Sequence, residues 1–214
     1  LHTGYMCPLH TLRSAAMRTG DDYKASLRDG RKVWVLGEGR VDDVATHPAT
    51  RGMVDEYAAW YDRQLDPAWS DLLISPPGAT EAGTPLVYIL PMNTDDLVRM
   101  GKVYAKLAFI TAGNVTHDPA YGNIIALGIL DATQRLSVAP EQTRNAAALR
   151  EHIAKTGRFV TFSQGGAPIG FRMRPDPAER NPLRIVKETD AGIVLKGKVG
   201  MHTSPAFADD VYIG

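Results

Sequence analysis

Residues 141–162, EQTRNAAALREHIAKTGRFVTF, carry two periods in one stretch. As far as Lys155 the run is rich in alanine and sets Ala146, Leu149 and Ile153 at helical spacing, and Gly157 suits a left-handed helix stop. From Phe159 to Phe162 the pattern alternates as in a strand. Outward from this switch the upstream chain reads mainly as helix and the downstream chain mainly as strand, an α+β arrangement.

Upstream, Thr19 with Asp21 and Asp22 predicts a short helix that runs to Gly30. Residues 32–36 and 39–41 predict a β-hairpin around Gly37 and Glu38. The pair Gly37-x-Gly39 has no third glycine three residues on, and Asp42-Asp43 would repel a pyrophosphate, so it is not a dinucleotide loop. Thr46 and Pro48 predict the start of a helix whose face is Met53, Tyr57, Trp60, Tyr61 and Gln64, ended by Asp66-Pro67. Residues 86–90, LVYIL, read as a strand after a loop over 75–85. Thr94 is the expected cap of a helix lined by Leu97, Met100, Tyr104, Leu107 and Phe109–Ile110, which breaks at Gly113-Asn114. A helix from Asp118-Pro119 through Leu130 is apolar on more than one side and is expected to be buried. Downstream, residues 183–187 and 192–196 predict a hairpin, and residues 201–204 and 211–213 add strand-like pieces.

Composition bounds the function. The 214 residues hold 24 basic and 24 acidic side chains, 44% hydrophobic residues and one cysteine. A balanced charge leaves no basic field for nucleic acid or anionic lipid. The longest apolar stretch, residues 124–130, is far below the roughly 18 residues that span a bilayer. Cys7 alone supports neither a disulfide nor an iron–sulfur site, which fits a reducing, cytoplasmic setting. His2, Cys7 and His10 have no zinc-site spacing. Thr161-x-Ser163-x-Gly165 lacks the first glycine of a nucleophile elbow. The chain begins at Leu1 and stops in strand-like residues 210–214; a terminal strand needs neighbours, so sequence beyond Gly214 or a partner completing the sheet is expected.

One local constellation stands out. Thr116-His117-Asp118-Pro119-Ala120-Tyr121 sets an imidazole and a phenol on either side of a helix start, where both can point into one cleft. A helix N-terminus disfavours imidazolium and would hold His117 neutral. The plainer alternative is that Asp118 caps the helix while His117 and Tyr121 make local hydrogen bonds.

Residues 19–23 (TGDDY), 26–31 (SLRDGR) and 41–49 (VDDVATHPA) resemble the opening of the 4-hydroxyphenylacetate 3-monooxygenase family of reduced-flavin-dependent aromatic hydroxylases. The likeness resumes at Pro119-x-Tyr121 and at residues 187–194 (KETDAGIV). It implies an acyl-CoA-dehydrogenase-like architecture: a helical N-terminal domain, a middle β-barrel and a C-terminal helical bundle that builds a homotetramer. On that footing residues 1–18 are an arm, 19–160 the helical domain and 161–214 the start of the barrel, with the bundle absent.

The resemblance also implies chemistry. A separate flavin reductase supplies reduced FAD, molecular oxygen forms a C4a-hydroperoxide on it, and one oxygen passes to a phenolic or heteroaromatic substrate. Tyr121 matches the family tyrosine that hydrogen-bonds the substrate hydroxyl. His117 stands where the family usually has arginine, and Phe162 where many members have histidine, so a fixed charge and an acid/base group are both replaced. Flavin contacts are implied for Phe162, Ser163, Gln164, Pro168, Ile169 and Arg172, and for Met201, His202 and Thr203; Arg172 also suits a pyrophosphate. No metal is implied, and the cluster-dependent dehydratase branch of the fold is excluded by the single cysteine. Two other readings are a catalytically silent binding or assembly module and an acyl-CoA-dehydrogenase-like flavoenzyme.

Overall fold

The computed structural model describes residues 17–79, 81–109, 112–113, 118–136, 138–163, 183–190, 192–199 and 202–213. Helix α1 (Gly20–Ser26) opens on a reciprocal capping box. The Asp22 N–H donates to Thr19 Oγ1 at 3.0 Å, and the Thr19 N–H donates to Asp22 Oδ2 at 3.0 Å. The helix stops four residues short of Gly30, because Leu27 turns into the core. Gly20 lies against α2 (Arg51–Leu65) so closely that an added Cβ would sit 2.7 Å from the Ala58 carbonyl oxygen. Strands β1 (Val33–Val35) and β2 (Gly39–Val41) form the expected antiparallel hairpin.

Several boundaries differ from the expectation. Helix α2 begins at Arg51, five residues after Thr46, because Asp43 takes the nearby N–H groups first. Its carboxylate accepts from Ala45 N–H at 2.8 Å and its carbonyl from His47 N–H at 3.0 Å, which makes a turn ahead of the helix. The aromatic face of α2 is buried as predicted, through Val54, Tyr57, Trp60, Tyr61 and Gln64. A single turn of 3₁₀ helix (Pro67–Trp69) and the short α3 (Ser70–Leu73) follow.

The predicted strand over 86–90 is instead a 3₁₀ turn, Leu86–Tyr88, closed by Tyr88 N–H on the Pro85 carbonyl at 2.8 Å. Its apolar side chains reflect burial in the core, since among the described residues no strand pairs with them. Helix α4 (Thr94–Leu107) is capped by Asn93, one residue before Thr94. It buries Asp96, Met100, Val103 and Leu107, whereas Leu97 and Phe109 face outward. The predicted break at Gly113 bears out only in part: the helix has ended by Ala108, and Ile110 and Asn114 lie outside the described residues.

Helix α5 (Tyr121–Arg135) starts two residues after Pro119 and is buried on one face only, through Gly122, Asn123, Ala126 and Leu130; Ile124 is exposed. Helix α6 (Pro140–Thr156) packs beside α5 and ends at Gly157, whose φ of 60° gives the left-handed stop. Ala146 and Ile153 are buried with Arg150, and Leu149 is at the surface.

Strand β3 (Val160–Ser163) pairs in parallel with β6 (Asp210–Ile213), with Phe162 opposite Tyr212. Strands β4 (Arg184–Thr189) and β5 (Gly192–Lys196) form the predicted hairpin, exposed along its whole length. The strand-like piece at 201–204 is reduced to an isolated bridge between His202 and Ser163. Among the described residues the strands thus make three two-stranded sheets. The core is aromatic: Tyr23, Tyr57, Trp60, Tyr61 and Phe159 are all essentially inaccessible, with the Tyr57 and Phe159 rings edge-on at 4.8 Å.

A buried clasp ties the two ends of this core together. Arg18 Nη1 meets Asp209 Oδ2 at 2.5 Å, and the Phe159 N–H and Ser26 hydroxyl also donate to the Asp209 carboxylate, each at 2.8 Å. No helix among the described residues is long and apolar enough to cross a membrane.

Candidate functional site

Of the predicted site residues that are described, Tyr121 opens α5 and Phe162 and Ser163 end β3, two elements that pack against each other. Gly122, the second residue of α5, lies so near β3 that an added Cβ would fall 2.4 Å from Val160 Cβ. Tyr121 precedes it and is half-buried, and its hydroxyl makes no hydrogen bond among the described residues. Two residues along β3 from Val160, on the same side by strand alternation, comes Phe162. Its half-buried ring stacks on Tyr212 of β6, with centroids 5.6 Å apart and planes 20° from parallel. Tyr212 had no functional reading in the sequence, because only the parallel pairing with β3 brings it to Phe162.

Ser163 ends β3 with backbone on both sides, β6 in parallel and His202 in an antiparallel bridge. Its Oγ is fully buried and has no hydrogen-bond partner, and neither does the buried Nδ1 of His202. Thr203 contributes its carbonyl to the fold, accepting from Thr161 Oγ1 at 2.6 Å, and leaves its side chain exposed. Ser204 closes this segment in a left-handed conformation, φ 62°, with its hydroxyl 2.6 Å from the Tyr57 hydroxyl. His117, Gln164, Pro168, Ile169, Arg172 and Met201 lie outside the described residues.

The approach to Tyr121 is built by Asp118. The expected N-cap role is shifted: Ala120 occupies the cap position, and Asp118 organises the turn before it. Its Oδ1 accepts the Ala120 N–H at 2.8 Å and its carbonyl accepts the Tyr121 N–H at 3.1 Å. Burial pushes the Asp118 carboxyl up to about 7, against the lowering effect of the backbone hydrogen bonds from Ala120 and Tyr121. This buried carboxyl, which forms no ion pair among the described residues, was not legible in the motif, which marks only an aspartate before a proline.

A flavin suits the polar atoms found here. Its ring edge presents carbonyl and N–H groups, and the Ser163 hydroxyl and His202 Nδ1 are buried polar atoms whose hydrogen-bonding capacity the protein itself leaves unused. The stacked Phe162 and Tyr212 rings add a flat apolar wall of the kind that aromatic rings pack against. Among the described residues no cluster of histidine, cysteine or acidic side chains is suited to a metal ion.

Comparison with known proteins identifies the family. The family model described as "4-hydroxyphenylacetate 3-hydroxylase N terminal" matches residues 19–214. The chain is 31% identical to the 4-hydroxyphenylacetate 3-monooxygenase oxygenase component of Thermus thermophilus, over 92% of this chain and 40% of that protein. It is 33% identical to the oxygenase component of 4-nitrophenol 4-monooxygenase/4-nitrocatechol 2-monooxygenase of Rhodococcus opacus, over 92% of this chain and 39% of that protein.

Among solved structures, the oxygenase component of 4-hydroxyphenylacetate 3-monooxygenase complexed with FAD and 4-hydroxyphenylacetate superimposes with a TM-score of 0.72 at 26% identity, covering 91% of this chain and 40% of that one. An archaeal 4-hydroxybutyryl-CoA dehydratase from N. maritimus shares the fold at 20% identity, with a TM-score of 0.66, over 90% of this chain and 39% of that one. The chain therefore spans about 40% of the length of the relatives it matches. Its α+β fold is the N-terminal part of an acyl-CoA-dehydrogenase-like architecture. By the match over residues 19–214 and these relatives, the chain belongs to the 4-hydroxyphenylacetate 3-hydroxylase family.

Proposed function

We propose that this chain is the N-terminal part of the oxygenase component of a two-component flavin monooxygenase, which adds one hydroxyl group to a phenolic or heteroaromatic small molecule. The observation that carries the reading is the end of β3, where the Phe162–Tyr212 stack lies next to the buried Ser163 hydroxyl and His202 Nδ1, both without a hydrogen-bond partner, with Tyr121 opening the helix that packs on this strand. Reduced FAD, when bound, supplies the two electrons that let molecular oxygen deliver one atom to the ring and leave the other as water. A separate flavin reductase provides the reduced flavin, and the whole protein works as a homotetramer in the cytoplasm.

The residues divide the work. Tyr121 donates a hydrogen bond to the substrate hydroxyl and orients the ring. Phe162 and Tyr212 form an apolar wall that limits water at the reacting carbon. Ser163, His202 and Thr203 hold the flavin edge, together with Gln164, Pro168, Ile169, Arg172 and Met201. By the family resemblance, His117 supplies a neutral nitrogen toward the substrate hydroxyl in place of a fixed cation.

The test is to supply the protein with reduced FAD from a separate reductase, oxygen and a panel of phenols and hydroxylated heteroaromatics. A hydroxylated product that requires flavin, carrying one atom from isotopically labelled oxygen, is expected. Conversion of all the oxygen to hydrogen peroxide with every ring offered would overturn the reading. That outcome is what a catalytically silent module predicts, a second reading favoured by Phe162, which brings no acid/base group to the site.

A further inference from the structure

Asp118 has a chemistry that the proposed reaction does not yet use. It is 1% exposed, and its Oδ2 has no hydrogen-bond partner. The hydroxyls of Tyr88 and Tyr104, close enough to feel its charge, are buried in the same condition, and so is Asn123 Oδ1. They come from different elements: Tyr88 from the 3₁₀ turn, Tyr104 from α4, and Asn123 from α5, where its amide nitrogen donates to the Val87 carbonyl at 2.8 Å.

Among the described residues, the titratable groups that feel the Asp118 charge are the phenols of Tyr57, Tyr88 and Tyr104. Burial raises all three, and the Asp118 charge raises each further, so they stay neutral across the working pH range. Among the described residues no cation forms an ion pair with Asp118.

The protonation state decides what such a pocket can do. An ionised carboxylate only accepts hydrogen bonds, whereas a carboxylic acid also donates one, and an amide oxygen or phenol oxygen is a ready acceptor. Ionisation would leave a negative charge facing three neutral phenols with no cation to offset it. The ready relief is movement of the carboxyl toward water. That movement drags the turn, because Oδ1 holds the Ala120 N–H and the Asp118 carbonyl holds the Tyr121 N–H.

We propose that Asp118 is a positioning residue for Tyr121: its neutral carboxyl fixes the turn that starts α5, and ionisation loosens that turn and the tyrosine with it. The consequence for catalysis rests on the reading in which Tyr121 binds the aromatic substrate; the coupling between the carboxyl and the turn does not. Burial of the carboxyl sets the switch near neutral pH.

The experiment follows the Tyr121 amide resonance of the protein and of Asp118→Asn from about pH 5.5 to about pH 8.5, alongside the infrared carboxyl band that the substitution removes. In the wild type the resonance and the band titrate together near neutrality, and in Asp118→Asn, which keeps a neutral donor, the resonance holds still. With a phenol that the protein hydroxylates, KM rises roughly tenfold across that window in the wild type with little change in kcat, stays flat in Asp118→Asn, and is high at every pH in Asp118→Ala. A carboxyl already ionised at the acid end, or a Tyr121 resonance that ignores its titration, overturns the proposal. If no phenol is hydroxylated the functional reading fails, and the resonance still decides the coupling.

Discussion

Two aspartates are buried at the two ends of the β3 corner, and the protein treats them in opposite ways. Asp209 is met by Arg18, by Ser26 and by the Phe159 N–H. Burial alone would raise its carboxyl, but the Arg18 hydrogen bond and charge outweigh it and hold the group below the ordinary carboxylate range. Asp118 receives one backbone N–H on its carboxyl and no counter-ion, and burial prevails. The same side chain is thus a charge held by a clasp at one place and, at the other, a carboxyl that keeps its proton up to about neutral pH. What differs is the partner supplied, with burial common to both.

The clasp should be the harder of the two to disturb without loss. Arg18→Met removes the only guanidinium hydrogen-bonded to the Asp209 carboxylate among the described residues and leaves its charge buried, so denaturant unfolding at neutral pH should show a loss of about 3–5 kcal/mol. The contribution of Asp209 is present above the pKa of the unfolded carboxyl and fades as pH falls through the depressed folded value.

Asp118 has the opposite sign. Its folded pKa is raised, so between about pH 4 and about pH 7 the folded protein keeps a proton that the unfolded chain has given up. Stability contributed by this group therefore falls as pH rises through that window and levels off above it. The gap between about 7 and an ordinary 3.8 corresponds to roughly 4 kcal/mol, an upper bound because the turn can relax. Asp118→Asn is accordingly expected to stabilise the protein at about pH 8 and to change little at about pH 4; equal stabilisation at both would break the comparison.

Packing beneath the Asp118 turn gives a smaller effect. Gly122→Ala places a methyl group against Val160 and should cost about 1–3 kcal/mol while moving the Tyr121 resonance. The smallest effect is expected outside both regions. Asp131 and Arg135 pair at 2.7 Å on the exposed face of α5, and Arg135→Ala should leave the unfolding midpoint where it was. A clear loss there would mean that charge pairing as such, and not burial, sets the contrast between the two aspartates.

Part of the local grammar was readable from sequence: the start of α1 after Thr19, the left-handed stop at Gly157 and the hairpins at β1–β2 and β4–β5 each depend on a few adjacent residues, whereas the caps of α2, α4 and α5 fell elsewhere than expected. Residues 86–90 were not readable, because a short apolar run has the same appearance whether buried as a turn or as a strand. The face of α4 was set by its neighbours, which favoured Val103 over Leu97.

The site divides in the same way. Tyr121 and Phe162 came from motif resemblance, and the elements that carry them, α5 and β3, pack against each other. Tyr212 and the Arg18–Asp209 clasp depend on contacts with residues far away in the chain, which no local pattern records. The neutral state of Asp118 likewise arises from what three other elements fail to provide.

The central claim is that the β3 end and His202 hold reduced flavin, and an anaerobic calorimetric titration of reduced FAD into the protein and into His202→Leu tests it most directly. The account predicts saturable binding that weakens roughly tenfold or more in the variant, with the circular dichroism spectrum unchanged. Equal affinity in the two proteins, or no binding of reduced FAD by the wild type, would contradict it.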